Sequence, residues 1–124
     1  MDGKEIEGFI VEQEARFPGG AQGWQNYLIK NLNANVPVDA GMGAGTYMVM
    51  VSFLAAKDGA ISEVKAMNDG NHCKVCVKEA VRVIASGPAW EPAIQNNEPV
   101  IYRQKQQITF MVEESGRKRK KKDD

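Results

Sequence analysis

Residues 46–67 read TYMVMVSFLAAKDGAISEVKAM, and their pairing decides the fold. Tyr47, Val49, Val51 and Phe53 share one parity, and Met48, Met50 and Leu54 share the other. Successive strand residues point to opposite faces, so a strand over 46–56 that is apolar on both faces is expected at the centre of a sheet. Lys57-Asp58-Gly59 supplies an Asp-Gly hairpin turn, and the chain returns as a second strand over 60–67. Ile61 and Val64 break strict alternation there, which predicts a bulge.

Working outward from the hairpin, residues 68–72 form a loop. Val77, Ala80, Val81 and Ile84 then recur at i, i+3, i+4 and i+7, which predicts a helix over 73–85. Ser86-Gly87-Pro88 closes it, with glycine after the last turn and proline beyond. Residues 89–99 connect to a last strand over about 100–112 and bury Trp90. Upstream, FPGG at 17–20 is a break. Trp24, Tyr27, Leu28 and Leu32 line one face of a helix over 21–33, and the loop 34–45, with Pro37, ends it. The expected fold is α+β: two helices on one side of a three-stranded antiparallel sheet. The first hairpin strand lies between the second and the last (order 2-1-3), so the last strand is an open edge.

That last strand contains YRQKQQITF at 102–110. Tyr102, Ile108 and Phe110 share a parity, but Arg103 to Gln107 are polar on both. A strand covered on both faces would be apolar almost throughout, and a half-buried one would alternate. An edge position accommodates the polar middle, which also discourages pairing between copies. An open edge still admits a strand-swapped homodimer.

The chain has 124 residues, 43% hydrophobic and 26% charged, which suits one soluble globular domain. Sixteen basic and sixteen acidic residues cancel, but the last eight residues, RKRKKKDD, hold six of the basic and two of the acidic ones. The remainder has ten basic against fourteen acidic, a balance of −4. A mildly acidic body with a basic tail argues against a nucleic-acid domain, whose positive charge clusters on a folded face. The organisation expected is an N-terminal segment (1–16) with a short strand near 8–13, a folded domain (17–113) and a disordered basic tail (114–124). No run of 18 apolar residues and no signal-peptide pattern occur, so any export or anchoring segment is expected outside this chain.

Cys73 and Cys76 form a CxxC at the start of the second helix. A helix N-terminus favours thiolate, so a redox pair is one reading. A structural disulfide, or two small thiols, is another, because the alternating parallel-sheet pattern of thioredoxin-like proteins is missing. His72 with the two cysteines is one ligand short of a structural zinc site, and Asp69 is a poor fourth. His72 is the sole histidine and no serine sits in GxSxG, so no enzyme activity, cofactor or metal is expected. GMGAG at 41–45 precedes a strand rather than a helix and lacks phosphate-binding geometry. Trp24 and Trp90 could line a groove, but their context favours core.

Several stretches resemble the C-terminal domain of TonB-type energy transducers in the form common in Bacteroidetes-like bacteria. They are FPGG (17–20), YLIKNL (27–32), TYMVMVSFLAAKDGAISEVK (46–65), EAVRVIASGPAWEPAIQNNEPV (79–100) and YRQKQQITFMV (102–112). The resemblance covers about residues 17–113 in order. It implies a periplasmic domain held to the inner membrane by an N-terminal helix and a Pro-rich spacer, both absent from this chain. It also implies an inner-membrane proton-channel complex as energy source. The partner implied is the TonB box of an outer-membrane receptor, captured by strand addition along the third strand. Arg103, Gln104, Lys105, Gln106, Gln107 and Thr109 are then the partner-binding residues, chiefly through backbone groups. Where many members carry Tyr-Pro after the first helix, this chain has Val36-Pro37, so no role for that tyrosine carries over. The alternative is a sensory or scaffolding module of a larger membrane protein such as a sensor-peptidase.

Overall fold

The strand at the centre is β2, Gly45–Ala55. The structure, a computed structural model, describes residues 5–6 and 11–114. Residues 8–10 of the expected N-terminal strand and residues 115–124 of the tail lie outside the described residues. Val49, Val51, Phe53 and Ala55 of β2 have no exposed surface, and Tyr47 is nearly as buried. Each large side chain buried this way contributes about 1.5–3 kcal/mol. On the opposite face Thr46 and Met48 are exposed, while Ser52 is buried. One face of β2 therefore holds the core.

β3, Ile61–Ala66, pairs antiparallel with β2, and the register shifts between Ser52 and Leu54. Glu63, at φ 51°, lies within that irregular stretch, where alternation fails in the sequence. The turn before β3 is anchored from outside: Gly59 adopts φ 88°, its carbonyl accepts from the Trp90 N–H at 2.9 Å, and a Cβ there would collide with the Trp90 carbonyl.

Two longer helices cover the core face. α1 spans Gly20–Asn31 and α3 spans Lys74–Ala85, and a single turn, α2, spans Val36–Asp39 between α1 and β2. Pro37 sits in the first turn of α2, where its missing N–H costs nothing. α3 buries Cys76, Ala80, Val83 and Ile84. α1 buries no residue fully. It leans Trp24, Tyr27 and Leu28, with Leu32 just past its end, against the same core. Phe17, Trp24 and Trp90 form an aromatic cluster with centroids 5.2–5.6 Å apart, and Phe53 joins through Trp90 at 4.9 Å. The tight FPGG turn sets this up, with Gly19 at φ 86° and a Gly23 Cβ position that would collide with the Pro18 carbonyl.

The sheet is larger than three strands. Its order is β1-β5-β2-β3, where β5 is Glu98–Val112 and β1 is Glu5–Ile6, and β4, Ala93–Gln95, pairs with the start of β5. β2 pairs antiparallel with β5 from Gly45↔Val112 to Ala55↔Tyr102. The connection expected over 89–99 is in fact half hairpin. Asn96 and Asn97 both take left-handed φ, 54° and 64°, and close a two-residue turn between Gln95 and Glu98. Residues 11–16 add two isolated bridges, Gln13↔Ile94 and Arg16↔Glu91. β1 pairs parallel with β5 at Ile101 and Tyr102, so the edge expected to be fully open is covered at that end.

One charged group ties α1 to α3. Glu79 is buried on α3, accepts from the Asn33 N–H at 2.7 Å and pairs with Arg82 at 2.6 Å. Arg82 in turn donates to the Asn31 carbonyl at 2.7 Å, at the end of α1. The Arg82 hydrogen bond first, and the Asn33 N–H with it, hold the Glu79 carboxyl below its usual 4.5 against the opposing effect of burial. A depressed folded pKa stabilises the fold fully above the unfolded value and loses that stabilisation as pH falls through the folded one. Glu79→Gln is expected to destabilise the domain by about 1–2 kcal/mol at pH 7. In urea melts the gap between wild type and variant should close as pH falls from 6 towards 3; a gap independent of pH would refute this role.

Candidate functional site

Hydrogen-bond parity in β2 determines which groups of β5 remain available. The Met67 N–H donates to the Met50 carbonyl at 2.7 Å. The Asn68 side chain accepts from the Met50 N–H and donates to the Met48 carbonyl, both at 3.2 Å. Met48 and Met50 therefore turn their main chain towards the β3 side, and Val49, Val51 and Phe53 turn theirs towards β5. Their partners are Ile108, Gln106 and Gln104. Opposed residues of an antiparallel pair exchange both bonds or neither. Gln104, Gln106 and Ile108 thus bond inward to β2. Lys105, Gln107, Thr109 and Met111 direct N–H and C=O to the outer edge. Among the described residues no strand pairs with that edge beyond Tyr102.

The six residues expected at the edge divide by this parity. Lys105, Gln107 and Thr109 carry exposed side chains and outward main chain. Arg103 shares their parity, but its side chain is 14% exposed and its guanidinium bonds Glu63 at 2.8 Å on the far face of the sheet. Gln104 and Gln106 are not edge residues in the expected sense. Gln104 is 6% exposed and donates to Glu14 at 3.1 Å, and Gln106 is half-buried on the core face.

Both nevertheless reach the edge through their side-chain amides. Gln104 Nε2 lies 3.4 Å from the Lys105 carbonyl and Gln106 Nε2 lies 3.2 Å from the Gln107 carbonyl. Each amide supplies a donor to an outward carbonyl that would otherwise rely on water. This accounts for polar residues on both parities: Lys105 and Gln107 face solvent, Arg103 pairs with Glu63, and the even glutamines satisfy the edge they flank. Met111, 63% exposed at the far end, extends the same edge and was not among the expected residues. Its apolar type offered no signal for an edge role.

Beside β5 lies a groove of about 380 Å³, whose lining includes Ala15, Arg16, Phe17, Ala21, Trp24, Trp90 and Gln106. Arg16 is held to Glu91 at 2.7 Å. The two tryptophans expected as core thus serve both purposes: Trp90 is 5% exposed, Trp24 is half-buried, and both line the groove. Burial, with the Glu14 charge nearby, pushes the Tyr102 phenol up, so it stays neutral at the end of the edge.

Cys73 and Cys76 are joined by a disulfide with Cα atoms 5.2 Å apart, and neither has exposed surface. The Cys73 sulfur also accepts the Cys76 N–H at 3.2 Å and caps α3. The bond therefore staples the helix start. His72 pairs with Asp69 at 3.1 Å in open solvent, and among the described residues no cluster of His, Cys, Asp and Glu could hold a metal ion.

No protein-family model, curated protein or solved structure matches this chain. The fold is α+β with its helices on one face of a mainly antiparallel sheet, and among the described residues no helix is long and apolar enough to cross a membrane.

Hydrogen exchange resolved by NMR should show the parity directly in the free protein. The amides of Gln104, Gln106, Ile108 and Phe110 should exchange only with global opening, whereas those of Lys105, Gln107, Thr109 and Met111 should exchange through local exposure. Uniform protection along β5 would contradict the open edge.

Proposed function

We propose that this chain is the peptide-binding domain of a TonB-type energy transducer and that a receptor's TonB box adds as a strand along residues 105–111 of β5. The observation that carries this is the row of outward main-chain groups at Lys105, Gln107, Thr109 and Met111, with no described strand pairing them. The resemblance of residues 17–113 supplies the partner class, an outer-membrane receptor. It also supplies the setting: the periplasm, with an inner-membrane anchor and a proton-driven complex beyond this chain. The role is binding and force transfer rather than catalysis.

The chemistry suits strand addition. Main-chain hydrogen bonds tolerate varied side chains in the visitor, and each contributes about 1 kcal/mol net. The glutamine amides on the Lys105 and Gln107 carbonyls act as placeholders, which an incoming N–H can replace. Hydrogen bonds between strands run perpendicular to the strand axis. A pull along that axis loads several of them together.

Proline at position 107 separates binding from folding. Its missing N–H points outward, so the β2 ladder is left intact, as edge strands allow. Gln107→Pro is expected to keep the cooperative melt and to weaken calorimetric binding of TonB-box peptides about fivefold to tenfold, in line with one lost hydrogen bond. Gln106→Pro, which removes a bond to β2, should instead unfold the domain. Unchanged affinity in a folded Gln107→Pro would reject β5 as the receptor edge.

A further inference from the structure

We infer that the groove beside β5 is a side-chain pocket that reads one residue of the added strand, the one opposite Gln106, and selects a large apolar side chain there. The inference rests on strand addition at β5 and assigns that site its selectivity. Of the groove's described lining residues, Gln106 is the one that belongs to the sheet, so the groove meets the sheet at β5. An added strand places the residue opposite Gln106 on the same face, with its Cβ about 4.5–5.5 Å from that of Gln106. Its side chain is thereby aimed at the space beside Phe17, Trp24 and Trp90.

The neighbouring same-parity residues of β5, Gln104 and Ile108, are not among the groove's described lining residues. Gln104 is buried and bonded to Glu14, and Ile108 is 1% exposed. Residues opposite Lys105 and Gln107 project to the other face, where those side chains are exposed. One position of the visitor in register with β5 therefore meets an aromatic-walled cavity. The described lining is apolar apart from Gln106 and Arg16, and the Arg16 charge is already paired with Glu91, so a leucine or phenylalanine fits and a carboxylate does not. Gln106 links the two events: its amide leaves the Gln107 carbonyl when the visitor's N–H arrives, and its side chain is then free to lie along the new residue.

The test uses the full chain and synthetic TonB-box heptapeptides whose register on β5 is set by intermolecular NOEs. The residue opposite Gln106 is varied among Ala, Leu, Phe and Glu. Leu and Phe peptides should bind about tenfold tighter than the Ala peptide, the Glu peptide should bind more weakly, and binding of Leu or Phe should change tryptophan fluorescence. Ala21→Trp, placed on the exposed first turn of α1 to fill the groove, should bring the Leu and Phe peptides to the affinity of Ala and leave the Ala peptide unchanged. Trp24→Ala serves as a second variant, with the same loss of discrimination. If all peptides shift the β5 amides but bind alike, the pocket is refuted and strand addition stands. If no peptide shifts β5, both fall. A fluorescence change that tracks protein concentration without peptide would overturn the pocket in favour of contact between copies.

Discussion

Everything in this domain depends on the pairing of β2 with β5. Val49, Val51 and Phe53 are fully buried on one face of β2, and the same residues carry the hydrogen bonds to Ile108, Gln106 and Gln104. A shift of one residue would turn that face to solvent, so the core fixes the register. Once the register is fixed, the other main-chain groups of β5 have no choice of direction. Lys105, Gln107, Thr109 and Met111 must face outward. The open edge is thus a consequence of the core, with no separate element needed to build it.

An outward row of polar backbone is also a hazard, because it can pair with another copy of itself. The charge at Lys105, the glutamine amides laid on the Lys105 and Gln107 carbonyls, and the parallel β1 at Ile101 and Tyr102 each blunt it. These devices are weak individually. A stronger block, such as a full-length strand or a helix laid over the edge, would also shut out a visiting peptide. A strand kept soluble by replaceable side-chain contacts remains open to a partner that brings a complete row of donors and acceptors.

The central strand and its hairpin were legible in the sequence because β2 carries apolar residues on both parities and Asp58-Gly59 marks the turn. α3 was legible through the spacing of Val77, Ala80, Val81 and Ile84. β4 was not, because Asn96-Asn97 achieves with two left-handed asparagines what an Asn-Gly pair would have announced. Nor did the sequence separate Gln104 and Gln106 from Lys105 and Gln107. Glutamine suits either face, and only the register showed that two of the four point inward. The groove was half visible in Trp24 and Trp90, whose convergence with Phe17 and Gln106 depends on contacts between segments far apart in the chain.

The claim at the centre of this account is that β5 receives a strand along its outer edge. The most direct measurement is residue-resolved hydrogen exchange with a TonB-box peptide at saturation. The account predicts new protection at Lys105, Gln107, Thr109 and Met111, with the already protected Gln104, Gln106 and Ile108 little changed. Protection that appears on another surface while those four amides keep exchanging freely would contradict it.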